Sequence, residues 1–189
     1  MSPIITRDSV LLTGGAGFIG SNLVYRLLGL GYKNINLTVR DSTNFARLKN
    51  ILPKIKLHKI DILDKEGLRR VINKINPSVI FHLATYSAYR NQEAAEEMIN
   101  TNIQGTLNLL TATKDINYDI FVNTGSSSEY GIKKNPMNED DLLKPISFYA
   151  TTKASATLLC QVFAKEYKKP IVTLRPFSVY GPYEEEKRF

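Results

Sequence analysis

Cysteine is nearly absent from this 189-residue chain: Cys160 is the only one. No internal disulfide can form, and nothing points to an oxidising compartment. Its neighbours Leu158 and Leu159 set it in an apolar helical stretch, where a thiol is buried and inert. Histidine is scarce too, with two residues, His58 and His82. Far apart and without a cysteine cluster, they argue against a metal centre, and no metal is expected. His58, among lysines, is expected at the surface, and His82, ending an apolar run, in the interior. No apolar run approaches the roughly 20 residues that span a bilayer. The N-terminus leads into a strand without the charged and apolar regions of a signal peptide. A cytoplasmic chain with no membrane partner is the expectation.

Charge of one sign is in mild excess, with a formal net charge of +7. The lysines are scattered over Lys54, Lys56 and Lys59, then Lys133 and Lys134, then Lys165, Lys168 and Lys169, and Glu184–Glu186 opposes them. No dense basic run interleaves with aromatics, so a nucleic-acid partner is not expected. A solvated basic surface that attracts polyanionic small ligands fits better.

Apolar runs of strand length alternate with longer helical patterns. Strands are expected at Ser9–Thr13, Ile35–Arg40, Lys56–Asp61, Ser78–Ala84, Asp119–Thr124 and Ile171–Arg175. Helices are expected at about Phe18–Leu30, Phe45–Leu52, Lys65–Ile75, Gln92–Thr113 and Phe148–Tyr167. This alternation predicts an α/β fold, a doubly wound parallel sheet of Rossmann type with helices on both faces. One dinucleotide-binding domain over residues 1–182 is expected, and the charged tail 183–189 reads as the start of a further, substrate-binding region.

Two motifs carry chemistry. Thr13-Gly-Gly-Ala-Gly-Phe-Ile-Gly20 lies between a strand and a helix. There Gly14 allows a tight turn, Gly17 lets backbone approach a pyrophosphate, and Gly20 permits close helix–strand packing. Further on, Tyr149-Ala-Thr-Thr-Lys153 places a phenol and an ammonium on one helix face. A neighbouring cation favours the phenolate and brings a tyrosine towards the range of a useful base. At the end of the second strand, Arg40 suits a 2′-phosphate, with Ser42 and Arg47 as possible additions to its pocket. Asp41, one residue later, suits ribose hydroxyls instead. NADP is favoured by this reading and NAD stays open.

Together with Phe81-His-Leu-Ala84, Thr124-Gly-Ser-Ser-Ser-Glu-Tyr-Gly131 and Arg175-Pro-Phe-Ser-Val-Tyr-Gly-Pro182, these motifs resemble the extended short-chain dehydrogenase/reductase family. More narrowly, they look like its nucleotide-sugar epimerases, dehydratases and reductases. The resemblance implies a cofactor site at Gly14, Gly17, Phe18, Ile19, Gly20, Arg40 and Asp41. It adds Asp61 and Ile62 near the adenine, Leu83 and Ala84 along the cofactor, and Thr124 beneath the nicotinamide. Pro176 and Ser178, with Phe177, belong to the loop that approaches the nicotinamide. It implies catalysis by Ser126, Tyr149 and Lys153, the last two also touching the cofactor, with Ser126 and Ser127 on the substrate side. Tyr86, Tyr89 and Arg90 follow the fourth strand at its carboxyl end, where ligands bind in open sheets. They are candidates for substrate contacts, with an ordinary polar loop as the alternative.

In the resembling dehydratases an acid follows the catalytic hydroxyl by one or two positions. Here Ser127 and Ser128 stand there and Glu129 comes one place later. Keto reduction or epimerisation at C4 of a nucleotide-linked sugar is therefore expected, ahead of 4,6-dehydration or decarboxylation. A non-catalytic dinucleotide sensor or scaffold is the alternative of another class. The resemblance also implies a homodimer through the helices near 92–113 and 148–167. The chain ends where the family's sugar-nucleotide region would begin, so binding of dinucleotide without robust turnover is the expectation.

Overall fold

In the computed structural model, residues 9–86 and 94–184 are described. Six parallel strands, β1 (Ser9–Thr13), β2 (Asn34–Val39), β3 (Lys56–Lys59), β4 (Val79–His82), β5 (Ile120–Thr124) and β6 (Ile171–Leu174), form one sheet in the order β3-β2-β1-β4-β5-β6. That order reverses direction between β1 and β4, which opens a crevice beyond the carboxyl ends of these two strands. The expected Rossmann-type sheet is therefore what the chain builds.

Alternation along the strands decides which face each side chain covers. Leu11, Ile80 and Phe121 pack with Leu68 and Ile72 of α2 (Lys65–Ile75), Leu109 and Leu110 of α4 (Gly105–Thr113), and Cys160 and Phe163 of α5 (Phe148–Tyr167). Val10, Leu12, Ile35, Leu37 and Val79 face the other way, onto Val24 and Leu27 of α1 (Phe18–Gly29) and onto Leu48 and Ile51. Both faces of the central strands are covered, as a parallel sheet requires, while the edge strands β3 and β6 are partly exposed. Cys160 is buried as expected, and its thiol is pushed up to about 12 chiefly by that burial.

Three expectations need correction. The stretch 45–52 is not an α-helix: it forms 3₁₀ turns at Ala46–Leu48 and Leu52–Lys54, the second carrying Pro53 in its first positions. Its apolar spacing serves the core through Leu48 and Ile51 without a continuous helix. The helix expected from Gln92 begins, within the described residues, as α3 (Ala95–Met98) and passes through a π-turn at Ile99–Gln104 before α4. Arg40 is not a strand residue, since β2 ends at Val39. Tyr89 and Arg90 lie outside the described residues.

Candidate active site

The glycine turn sits at the mouth of the crevice. Gly14 has φ +71°, and a Cβ there would lie 2.6 Å from the Ala84 nitrogen. A Cβ on Gly20 would strike the Gly14 carbonyl and stand 2.7 Å from Gly15 Cα. Helix α1 can therefore start this close to β1 only because both side chains are missing. Gly17 is its exposed N-cap, with no side-chain cap and no acid in the first turn. The first N–H groups and the helix dipole are left for an anion. Phe18 and Ile19, in that first turn, are half-buried.

Behind the turn, Thr13 and His82 are paired across β1 and β4. Thr13 Oγ1 lies 2.7 Å from His82 Nδ1 and accepts from the Ala84 N–H at 3.2 Å, while the Leu83 N–H donates to the Thr13 carbonyl at 3.0 Å. Leu83 and Ala84 are thus fixed beside Gly14. His82 is buried as expected, and burial first, then the Lys153 charge, lowers its pKa to about 3. His58 departs from expectation: it is half-buried and hydrogen-bonded to Asn36 Oδ1 at 2.9 Å.

Past β2, Arg40 and Asp41 are both exposed. The Asp41 carboxylate pairs with Lys59 at 3.2 Å. Arg47 does not stand open as a phosphate ligand, because its Nε donates to the Tyr183 carbonyl at 2.8 Å. Asn22 donates to the Pro182 carbonyl at 2.9 Å, and the Tyr183 ring stacks on Tyr25 with centroids 5.7 Å apart. The segment after β6 is thereby strapped to α1. Asp61 is exposed beyond β3 and accepts from the Leu63 N–H at 2.9 Å. The Ile62 side chain belongs to the core, and its carbonyl accepts from the Asn108 amide at 3.1 Å, which bears on its assignment to the adenine.

At the far end of the crevice, Thr124 ends β5 and Ser126 caps a 3₁₀ turn at Ser127–Tyr130. Ser127 and Ser128 therefore do not continue the strand. Ser126 and Ser128 share a hydrogen bond of 2.8 Å between hydroxyls. The Glu129 carboxylate turns inward, away from the role of an acid beside substrate. It accepts from the Ser126 N–H and from Arg175 Nε, each at 2.8 Å. The Ser127 N–H donates to the Pro176 carbonyl at 3.1 Å, so this turn and the loop carrying Pro176 and Ser178 run side by side.

Helix α5, capped by Ser147, presents Tyr149 and, one turn on, Lys153. Tyr149 is half-buried, whereas Lys153 is 5% exposed. Burial pulls the Lys153 ammonium down to about 8, partly offset by the Glu129 charge. Asn102, displaced inward by the π-turn, donates to Thr152 Oγ1 at 3.0 Å. It also accepts from the Tyr86 N–H at 2.8 Å and donates to the Tyr86 carbonyl at 3.2 Å, holding the backbone at the substrate-side candidate.

A glycine cradle, an uncapped helix start and a buried lysine beneath a tyrosine suit a nicotinamide dinucleotide. The sequence pattern of the NAD dependent epimerase/dehydratase family matches residues 10–189. The chain belongs to that family. Its relatives include Protein CapI of Staphylococcus aureus, 32% identical over 92% of this chain and 55% of its own length. The dTDP-D-glucose 4,6-dehydratase of Dictyostelium discoideum is 32% identical over 93% of this chain and 44% of its own. Among solved structures, the UDP-glucuronic acid 4-epimerase of Bacillus cereus, in complex with UDP-glucuronic acid and NAD, is 34% identical with TM-score 0.81, covering 92% of this chain and 58% of that one. The chain thus spans about half the length of the relatives it matches.

In this family member the crevice gathers Gly14, Gly17, Gly20, Leu83, Ala84, Thr124 and Ser126 at the carboxyl ends of β1, β4 and β5. Sequence reasoning missed Asn102 and the supporting contacts of Thr13, Glu129 and Arg175 behind them. One signal was available, since Ser126-x-x-Glu129 spells a capping box, which the turn forms. Among the described residues no group of three or more potential metal ligands occurs, and no helix is long and apolar enough to cross a membrane.

Proposed function

We propose that this chain carries the dinucleotide site and proton-transfer centre of a nucleotide-sugar epimerase or reductase acting at C4. The observation that carries the reading is Lys153, a buried ammonium one helical turn from Tyr149. Burial holds it near 8, so it remains largely charged at neutral pH and favours the Tyr149 phenolate. Tyr149 exchanges the proton of the sugar hydroxyl, Ser126 hydrogen-bonds the developing carbonyl oxygen, and Lys153 steadies the ribose. When bound, the nicotinamide supplies the hydride chemistry. Dehydration is the second reading, supported by the Dictyostelium relative; the inward-facing Glu129 favours the first.

The Bacillus cereus relative holds NAD. For this chain NADP is favoured, because Asp41 is drawn to Lys59 while Arg40 is exposed and suits a 2′-phosphate. A homodimer through α4 and α5 is part of the proposal, supported by the exposed Leu107, Leu158 and Val162 on those helices. Sedimentation of a monomer at micromolar concentration would remove that part.

The test is to load the chain with NAD or NADP and mix it with UDP-glucuronic acid, UDP-glucose and dTDP-glucose. Reduced nicotinamide should appear with at least one sugar nucleotide, and Tyr149→Phe should slow its appearance about 100-fold or more. Failure to bind either NAD or NADP would overturn the reading.

A further inference from the structure

Glu129 is a carboxylate with 0% exposure, placed where two loops of the crevice meet. One oxygen accepts from the Ser126 N–H and the other from Arg175 Nε, both at 2.8 Å. Arg175 follows β6 and leads into Pro176–Ser178. Its Nη1 donates to the Tyr130 hydroxyl at 2.9 Å, and its guanidinium lies 4.9 Å from the centre of that ring. The Lys144 N–H donates to the Glu129 carbonyl at 3.0 Å, pinning the turn from outside. A Cβ on Gly125 would stand 2.5 Å from Glu129 Oε1, so the residue before Ser126 is a glycine by necessity of space.

We propose that Glu129 is a positioning residue of the reaction centre, joining the Ser126 turn to the Arg175 loop. A stability role alone would be served as well by an apolar side chain, since buried ion pairs gain little over good packing. What an apolar side chain could not do is accept from the Ser126 N–H and Arg175 together while opposing a buried cation. The titratable groups that bear on Lys153 are Glu129 from the turn, with Arg175 paired to it, Cys160 from its own helix and His82 from β4. His82 stays neutral, and burial holds the Cys160 thiol protonated. Of the influences that favour the Lys153 charge, Glu129 is the largest.

The proposal rests on the hydride-transfer reading, and the experiment separates the two. Isotope-edited NMR of lysine side chains follows the Lys153 titration, and hydrogen exchange follows the Ser126 amide, in the chain loaded with NAD. In Glu129→Gln, Lys153 should lose its proton at lower pH than in wild type. The Ser126 amide should exchange about tenfold faster or more, as expected when a hydrogen bond to a charged acceptor is weakened. Either readout standing still in a folded variant overturns the proposal. Should Glu129→Gln not fold, Glu129→Gln with Arg175→Met removes both charges and leaves no orphaned ion, and the Ser126 amide readout decides. Wild type that binds neither NAD nor NADP overturns the hydride-transfer reading itself, and this proposal falls with it.

Discussion

Thr13 Oγ1 stands 2.7 Å from His82 Nδ1, and the opposite ring nitrogen stands 2.8 Å from Thr106 Oγ1. Thr106 spends its one hydroxyl proton on the Asn102 carbonyl, so His82 Nε2 must be the donor and Nδ1 the acceptor of the Thr13 proton. A neutral imidazole thus ties β1 to the helix beyond β4.

The pH dependence of stability follows from that neutrality. The folded pKa of His82, about 3, lies below the ordinary value of 6.5. Its contribution is present above the ordinary value and is lost as pH falls towards the folded one. Denaturant titrations between about pH 7 and pH 4 should show a loss of up to about 1.4 kcal/mol per pH unit from this group. His82→Gln, which stays uncharged, should lack that share of the slope. Equal slopes for the two proteins would contradict the assignment.

Lys153 works against the fold that holds it. Its folded pKa, about 8, lies below 10.5. The cost of burying the ammonium is full below the first value and fades as pH approaches the second. Lys153→Met should melt a few degrees higher than wild type near neutral pH, while losing the reduction of bound nicotinamide. Scanning calorimetry alongside the absorbance assay checks both halves.

The glycine cradle leaves no room for repair. Gly14→Ala requires a positive φ in a residue with a Cβ and places that carbon 2.6 Å from the Ala84 nitrogen. Gly20→Ala drives the helix away from the turn. Each should lower stability by about 2–4 kcal/mol and weaken dinucleotide binding about tenfold or more. Gly29→Ala, where an added Cβ meets nothing within 4 Å, should leave binding unchanged. Calorimetric titration of all three variants gives the comparison.

Cofactor choice rests on the end of β2. Arg40→Ala should weaken NADP about tenfold and leave NAD nearly unaffected. Asp41→Ala should weaken NAD more than NADP. Equal NADP binding by wild type and Arg40→Ala would remove the case for a 2′-phosphate contact there.

Much of this was legible from residues alone. Strand β1, helix α2 and helix α5 fall at their expected bounds, because turn residues and caps flank strong patterns: Asp64 caps α2 and Ser147 caps α5. The stretch 45–52 misled because its apolar spacing suits a helix, yet Pro53 and the neighbouring asparagines favour tight turns. The π-turn at Ile99–Gln104 is invisible to a period of 3.6, since it adds one residue to one turn and reads as an ordinary helix. Glu129 was weighed as an acid near substrate, but its pairing with Arg175, 46 residues away, is formed only where the β5 and β6 loops meet.

The strap running back from β6 is fastened in part through main chain. Asn22 of α1 and Arg47 of the 46–48 turn grip the carbonyl oxygens of Pro182 and Tyr183, and a carbonyl is the same whichever side chain it carries. The Tyr25–Tyr183 stack, by contrast, reads the identity of a residue. What the crossing fixes is the length of chain from Leu174 to Tyr183 more than its lettering. Substitutions along that span should be absorbed, whereas a single insertion or deletion would throw both fastenings out of reach.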